Sequence, residues 1–342
     1  MLITLVDDSI PFSGESPAVD PLGGAEKAFA SLPAAIARRG HVVRAINRTS
    51  AAAALDNVSW LPWNGYRPAI TEILIAYRKP SLLDFVRATK RKIFWFTQPA
   101  DFLLKAPVDQ MISRAEPQLV FLGRTHRKSY GAEPPAFAKD IPFGVGAEFL
   151  ECEPMAPLNP PTAIVTTHPL QGLDWLIDLW TERIQSSAPG AELHVFSASF
   201  AAADQGAEIR EALRPIYAKA KAAREKGVRL FEPMADRAMA ERYRGARVHL
   251  YPGAETEMHC STLAESQACG LPSVARPLGA TAERIIDGET GFIAADDESF
   301  ARHAVAMLTD EAAFQKVSVQ ARLRQRNRSW DKVAGEFEVL FR

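Results

Sequence analysis

The sequence predicts an α/β protein with two doubly wound domains joined by a linker. Three observations predict it. Short apolar runs of strand length alternate with helix-period segments along nearly the whole chain. The alternation breaks between Glu151 and Pro161, where Pro154, Pro157, Pro160 and Pro161 make a stiff connection. A length of 342 residues suits two domains of ordinary size.

In order, Leu2–Val6 is an apolar run ending in Asp7-Asp8, the pattern of a buried parallel strand. A loop rich in Pro, Ser and Gly leads to Gly23-Gly24, which opens a helix to about Arg39. Its apolar residues Ala28, Phe29, Leu32, Ile36 and Ala37 recur at helical spacing, and Gly40 is placed to end it. Residues 41–46 form the next strand, completing one βαβ unit. Further strands are expected at 73–76, 92–96 and 119–122. Beyond the linker, strands are expected at 163–166, 193–196, 228–231, 248–251, 273–275 and 292–294. Helices are expected at 171–184, 207–226, 237–243, 262–269 and 280–286, with a terminal one at 330–341. The domains are drawn at 1–150 and 151–325, with 326–342 as a C-terminal helix crossing back to the first. In such folds ligands bind beyond the carboxyl ends of the strands, here in the cleft between the domains.

Composition narrows the function. The formal net charge of −1 offers no global field for nucleic acid. No apolar run is long enough to span a membrane, and the start of the chain lacks the basic, then apolar pattern of a signal peptide. Cys152, Cys260 and Cys269 show no metal-clip spacing, and so sparse a set fits a reducing cytoplasm. The cluster Arg87, Lys90, Arg91, Lys92 reads as a solvated face, with a peripheral contact to anionic lipid at the inner membrane face as the other reading.

The densest chemistry lies between Pro252 and Pro272. Glu257 stands in a loop after a strand, and Glu265 follows eight positions later on the next helix. A loop carboxylate can accept hydrogen bonds from sugar hydroxyls, and one on the helix can accept both hydroxyls of a ribose. The helix start between them, at His259, Cys260, Ser261 and Thr262, presents N–H groups and positive dipole to a diphosphate. Taken alone, Thr262-Leu-Ala-Glu265 reads as a capping box that needs no ligand. Gly23-Gly24 lets backbone approach a phosphate or sugar, or simply joins a loop to a helix. The neighbours His259 and Cys260 lack the further ligands a metal needs, and Cys260 has no base to activate it as a nucleophile. Trp60 and Trp63 read as packing residues before they read as a platform for an acceptor.

The stretch Glu257-x7-Glu265, followed by Ser-Gln-Ala-Cys-Gly270-Leu-Pro272, resembles the E-x7-E region of the GT4-type retaining glycosyltransferases. Gly279-Ala280, Glu283 and Asp287-Gly288-Glu-Thr-Gly291 continue the likeness. Gly23-Gly24 with Arg39-Gly-His-Val42 resembles that family's N-terminal diglycine loop and its exit into the second strand. Ile141-Pro-Phe-Gly-Val-Gly146 resembles the segment closing its first domain. The resemblance implies the GT-B fold and transfer of a sugar from a UDP- or GDP-type nucleotide sugar to a glycan, lipid-linked or small-molecule acceptor, with retention. It implies no cofactor and no metal. Glu257 would hold the transferred sugar and Glu265 the ribose, while backbone N–H groups at the helix start and at Gly23 and Gly24 stabilise the leaving diphosphate.

Three positions depart from the family pattern. The usual phosphate-binding Arg and Lys are missing after Val165, with Gln171 at the Lys position, so that His168, Arg276 or Arg124 would have to compensate. Gln98 stands where the family often has a histidine. Met258-His259 replaces the usual glycine. These departures support a second expectation, a non-catalytic GT-B subunit that binds a partner transferase or a glycan. An epimerase or phosphorylase on the same fold is a third.

Overall fold

The computed structural model describes residues 1–342. They divide into two compact units, Met1–Gly146 with Arg328–Arg342, and Ala147–Asn327. No helix is long and apolar enough to cross a membrane.

The first unit is built on an eight-stranded sheet. Its strands are β1 (Leu2–Val6), β2 (Val42–Asn47), β3 (Ala53–Leu55), β4 (Val58–Pro62), β5 (Ile70–Tyr77), β6 (Ala88–Trp95), β7 (Gln118–Phe121) and β8 (Lys139–Asp140), in the order β3-β4-β2-β1-β5-β6-β7-β8. Every neighbouring pair is parallel except β3 and β4. Apolar side chains at successive positions of β1, β5 and β7 are buried, as a sheet covered on both faces requires. The hairpin β3–β4 was not expected. It turns through Asp56 and Asn57, both at positive φ (49° and 61°), as a two-residue hairpin turn demands.

The helix Gly24–Arg38 buries Ala28, Phe29, Leu32 and Ile36 in the core of this sheet. The helix Trp330–Glu338 belongs to the same unit, with Trp330, Val333 and Phe337 in the same cluster. Trp95 meets Phe337 edge-on at 5.3 Å. A Cβ on Gly144 would lie 2.8 Å from Trp330, so the Ile141–Gly146 segment needs glycine there to seat this helix.

The second unit has a six-stranded, all-parallel sheet: β9 (Thr162–Val165), β10 (Glu192–Phe196), β11 (Val228–Phe231), β12 (Val248–Tyr251), β13 (Ser273–Ala275) and β14 (Gly291–Ile293), in the order β11-β10-β9-β12-β13-β14. Its core gathers Leu173, Leu176 and Trp180 with Phe200, Ala304 and Met307.

Two expected helices differ. Residues 207–226 hold the shorter helix Arg214–Ala222, and a separate helix, Ala198–Asp204, precedes it under a Ser197 cap. Residues 280–286 form only a single 3-10 turn, Thr281–Glu283. There the Thr281 hydroxyl donates to the carbonyls of Arg276 and Leu278, and Gly279 sits at φ 57°, which together hold a loop in place of a helix. The division between units falls at Gly146/Ala147, ahead of the proline-rich stretch. Phe149 is fully buried against Tyr243, Leu158 N–H donates to Gly245 O, and Arg244 Nη1 donates to Glu153 O, so residues 147–161 are strapped to the second unit.

Candidate active site

In the second sheet the chain runs outward one way through β10 and β11, then the other way through β12, β13 and β14. The reversal lies between β9 and β12, and in open α/β sheets the crevice at that point, beyond the carboxyl ends, is where ligands bind. The segments leaving these ends are Thr166–Gly172 after β9, Pro252–Cys260 after β12 and Arg276–Ala280 after β13.

Glu257 lies on the loop after β12, with its side chain 13% exposed. Its Oε1 accepts the Cys260 N–H at 2.9 Å. The loop is pinned twice more: Ala280 N–H donates to Glu257 O at 2.8 Å, and Arg284 Nε donates to His259 O at 2.9 Å. Gly279 is required by this packing, since a Cβ would lie 2.4 Å from Glu257 O and 2.5 Å from Ala254 O.

Cys260 adopts a left-handed backbone (φ 45°, ψ 49°) and is the N-cap of the helix Ser261–Ala268. The capping box expected from Thr262 and Glu265 is not formed. The left-handed turn at Cys260 starts the helix at Ser261, which moves Glu265 into the second turn, and no side chain of the N-cap residue bonds the helix. The Glu257 carboxylate takes up an N–H at this end instead, and Glu265 is buried, 6% exposed.

Beneath the helix start runs a line of polar side chains. Thr166 Oγ1 lies 2.9 Å from Thr262 Oγ1 and 3.0 Å from His249 Nε2, and His249 Nδ1 lies 2.9 Å from Ser266 Oγ. Complete burial pushes the His249 pKa down to about 3, so the ring is neutral. Burial likewise raises the Tyr251 hydroxyl and, with Glu257 beside it, the Cys260 thiol. Cys260 is therefore an inert thiol, and His259 Nδ1 is engaged by Ser261 Oγ at 3.0 Å and by Glu257 Oε1 at 3.5 Å.

Of the residues expected to replace the missing cations, His168 and Arg276 lie in the second unit, as does Gln171 at the Lys position, while Arg124 lies in the first with Gln98. His168 and Gln171 form a turn, with Gln171 N–H donating to His168 O. Arg276 donates to the carbonyls of Pro252 and Gly253, stacks 4.3 Å over Trp175, and has its Nη2 2.7 Å from where a Gly172 Cβ would be. Its first task is to clamp two loops together. Burial lowers the pKa of both Arg276 and His168.

In the first unit, Gly23 caps the helix Gly24–Arg38. The Glu26 carboxylate folds back so that a Gly23 Cβ would lie 2.6 Å from its Oε2. Arg78, just after β5 and at φ 64°, binds Glu26 through Nη1 at 2.6 Å and Asp7 through Nε and Nη2 at 3.2 and 2.9 Å. This cluster stands at the β1/β5 reversal of the first sheet, and the sequence reading did not single it out. Gln98 donates to Arg78 O at 3.2 Å, and Gln98 O in turn meets His126 Nε2 at 2.8 Å. Arg124 is exposed at the start of the helix Arg124–Lys128. Trp60 is core, edge-on to Phe12 and Phe29, and Trp63 packs on Phe85. Lys90 and Lys92 of the basic cluster pair with Glu72 and Asp84.

Residues 163–310 match the family model of the glycosyl transferases group 1. A search of curated proteins finds no significant match. Among solved structures, HepE from Anabaena in complex with UDP and glucose is similar at TM-score 0.74 and 13% identity, covering 99% of each chain. A sucrose-phosphate synthase from Thermosynechococcus elongatus is similar at 0.71 and 13%, covering 99% of this chain and 98% of that one. WaaG, a glycosyltransferase involved in lipopolysaccharide biosynthesis, is similar at 0.70 and 15%, covering 99% of each. The chain therefore has the GT-B fold, and its match to the group 1 glycosyl transferase model, residues 163–310, lies within the second unit.

Proposed function

We propose that this protein transfers a sugar from a nucleotide-sugar donor, UDP- or GDP-type, to an acceptor hydroxyl with retention. The observation that carries the reading is the placement of Glu257 and Glu265 on either side of a helix start at the β9/β12 reversal. Glu257 holds hydroxyls of the transferred sugar, and Glu265 receives the ribose. The Ser261 and Thr262 N–H groups precede the helix's bonds to Cys260 O, and they take the diphosphate. Stabilising charge on that leaving group is the main catalytic task, and fixed donors perform it without reorganising. The helix end does this work with no metal and no cofactor, and the protein acts in the cytoplasm on a glycan, lipid-linked or small-molecule acceptor.

Calorimetry with a panel of UDP-, GDP- and other nucleotide sugars tests the proposal, followed by NMR of the anomeric product. Binding to none of the panel would sink it. A second reading, a non-catalytic subunit, is favoured by Gln171 at the Lys position and by Arg276, whose guanidinium serves the carbonyls of Pro252 and Gly253. That reading expects donor binding without turnover, or binding of glycan alone.

A further inference from the structure

Cys152 and Cys269 lie far apart in sequence and side by side in the second unit. Cys152 follows the helix Ala147–Leu150, and Cys269 is the C-cap of the helix Ser261–Ala268. Both thiols point at one acceptor, Phe149 O, at 3.3 Å from the Cys152 sulfur and 3.9 Å from that of Cys269.

Their surroundings divide the roles. Cys152 is half-buried and opens onto a cavity of about 450 Å³ lined by Glu148, Glu151, Arg237, Glu241 and Arg244. Arg326 Nη2 lies 3.5 Å from its sulfur, and Arg322 and Arg326 both donate to its carbonyl oxygen. Cys269 is 4% exposed. The neighbouring Cys269 thiol holds the Cys152 pKa well below the ordinary thiol range, helped by Arg326 and Arg322 and opposed by burial. The nearby Cys152 sulfur, with burial, raises Cys269. A thiolate in a positively charged, partly open setting is the reactive form of cysteine.

We propose that Cys152 and Cys269 form a reversible dithiol–disulfide site, in which Cys152 reacts with a peroxide and Cys269 resolves the product. The Cys152 thiolate attacks one peroxide oxygen, the O–O bond breaks, and the departing hydroxide takes a proton to become water. Cys152 is then a sulfenic acid. The Cys269 sulfur attacks the Cys152 sulfur, the S–O bond breaks, and the hydroxide leaves with the Cys269 proton as a second water. Two thiols lose two electrons and hydrogen peroxide gains them; a dithiol reductant reverses the change. Cys260, fully buried with its thiol raised by burial and Glu257, is the built-in spectator.

Peptide mapping of the whole folded chain after hydrogen peroxide, without reduction, tests this. The expected result is a linked peptide joining Cys152 to Cys269, two of three thiols lost to a thiol reagent, and full recovery with dithiothreitol. Before oxidation, iodoacetamide at pH 7 should alkylate Cys152 at least about tenfold faster than Cys260. Cys269→Ser should leave a sulfenic acid on Cys152 that dimedone traps. Loss of Cys260 in step with Cys152, a link only between separate chains, or no linked peptide would each overturn the proposal. The wild-type map decides it even where a variant folds poorly.

Discussion

The Glu257 carboxylate and the Cys260 backbone are joined by a hydrogen bond of 2.9 Å, and it ties the loop after β12 to the start of the helix Ser261–Ala268. A side chain proposed to hold the donor sugar is thus also a brace for the N–H groups proposed to hold the diphosphate. A carboxylate has two oxygens and about four lone-pair sites, so one bond to Cys260 leaves acceptor capacity for sugar hydroxyls.

Glu257→Gln separates the two tasks. The amide oxygen can still accept from Cys260, but the charge is gone. Turnover should fall about 10²-fold while the Kd for free nucleotide stays within about threefold, because the loss is confined to contacts that strengthen in the transition state. Glu257→Ala loses the brace as well and should lower stability by about a further 1 kcal/mol. Steady-state kinetics with nucleotide calorimetry and urea melts check both, and unchanged turnover in the Gln variant would refute the role of Glu257.

Gly279→Ala tests the same loop from the opposite side. Its Cβ would land 2.4 Å from Glu257 O, on backbone with no flexible end to yield, and its φ of 57° adds strain. The loop must shift, so kcat should drop while the rest of the unit stays folded. Gly291→Ala is the contrast, since there the Cβ would meet Ser273 O at 2.3 Å between two strands. It should lower the melting temperature of the whole unit. Parallel measurement of kcat and Tm for the two variants separates a loop effect from a sheet effect.

The regular parts of the fold were legible because each is a local pattern. The strands β11, β12 and β13 fall on the residues the apolar runs mark, being short and bounded by polar or turn residues. The β3–β4 hairpin was illegible because Ala53-Ala-Leu55 carries little β signal and its outer strand is exposed. At the site, the spacing of Glu257 and Glu265 was readable in one dimension. The capping misreading arose because Thr262 and Glu265 fit a local rule that the left-handed turn at Cys260 overrides. Arg78 was missed because its meaning lies in partners from distant segments, Asp7 and Glu26. Thr166 and His249 were missed for the same reason, since the parallel pairing of β9 with β12 brings them together.

Arg276 should prove a clamp. Replacing it with Lys removes the stacked plane over Trp175 and the fork that serves Pro252 O and Gly253 O, which an ammonium cannot reproduce. The loops after β12 and β13 lose a common tie, and the helix Leu173–Leu179 loses the stack on Trp175. The expected cost is about 1–2 kcal/mol in urea-induced unfolding, with donor affinity falling through loop disorder. If Arg276→Lys keeps stability but loses nucleotide affinity alone, the guanidinium acts on the diphosphate directly and the clamp account fails.

His249 makes stability depend on pH in a definite direction. Its folded pKa is about 3 and its ordinary value is 6.5, the shift being caused by burial between β9 and the helix Ser261–Ala268. Between these values the unfolded chain binds a proton that the native state refuses. Stability is therefore full above pH 6.5 and falls as pH drops toward 3, below which both states are protonated and the loss levels off. At about 1.4 kcal/mol for each pH unit below 6.5, lowering the pH from 7.5 to 5 should remove about 2 kcal/mol. His249→Gln keeps polar atoms to face Thr166 and Ser266 but does not titrate. The variant should be less stable at pH 7.5, and its urea midpoint should be less sensitive to pH across this window than that of the wild type. Equal pH slopes for the two proteins would mean that other groups carry the dependence and that His249 is not the buried neutral base described here.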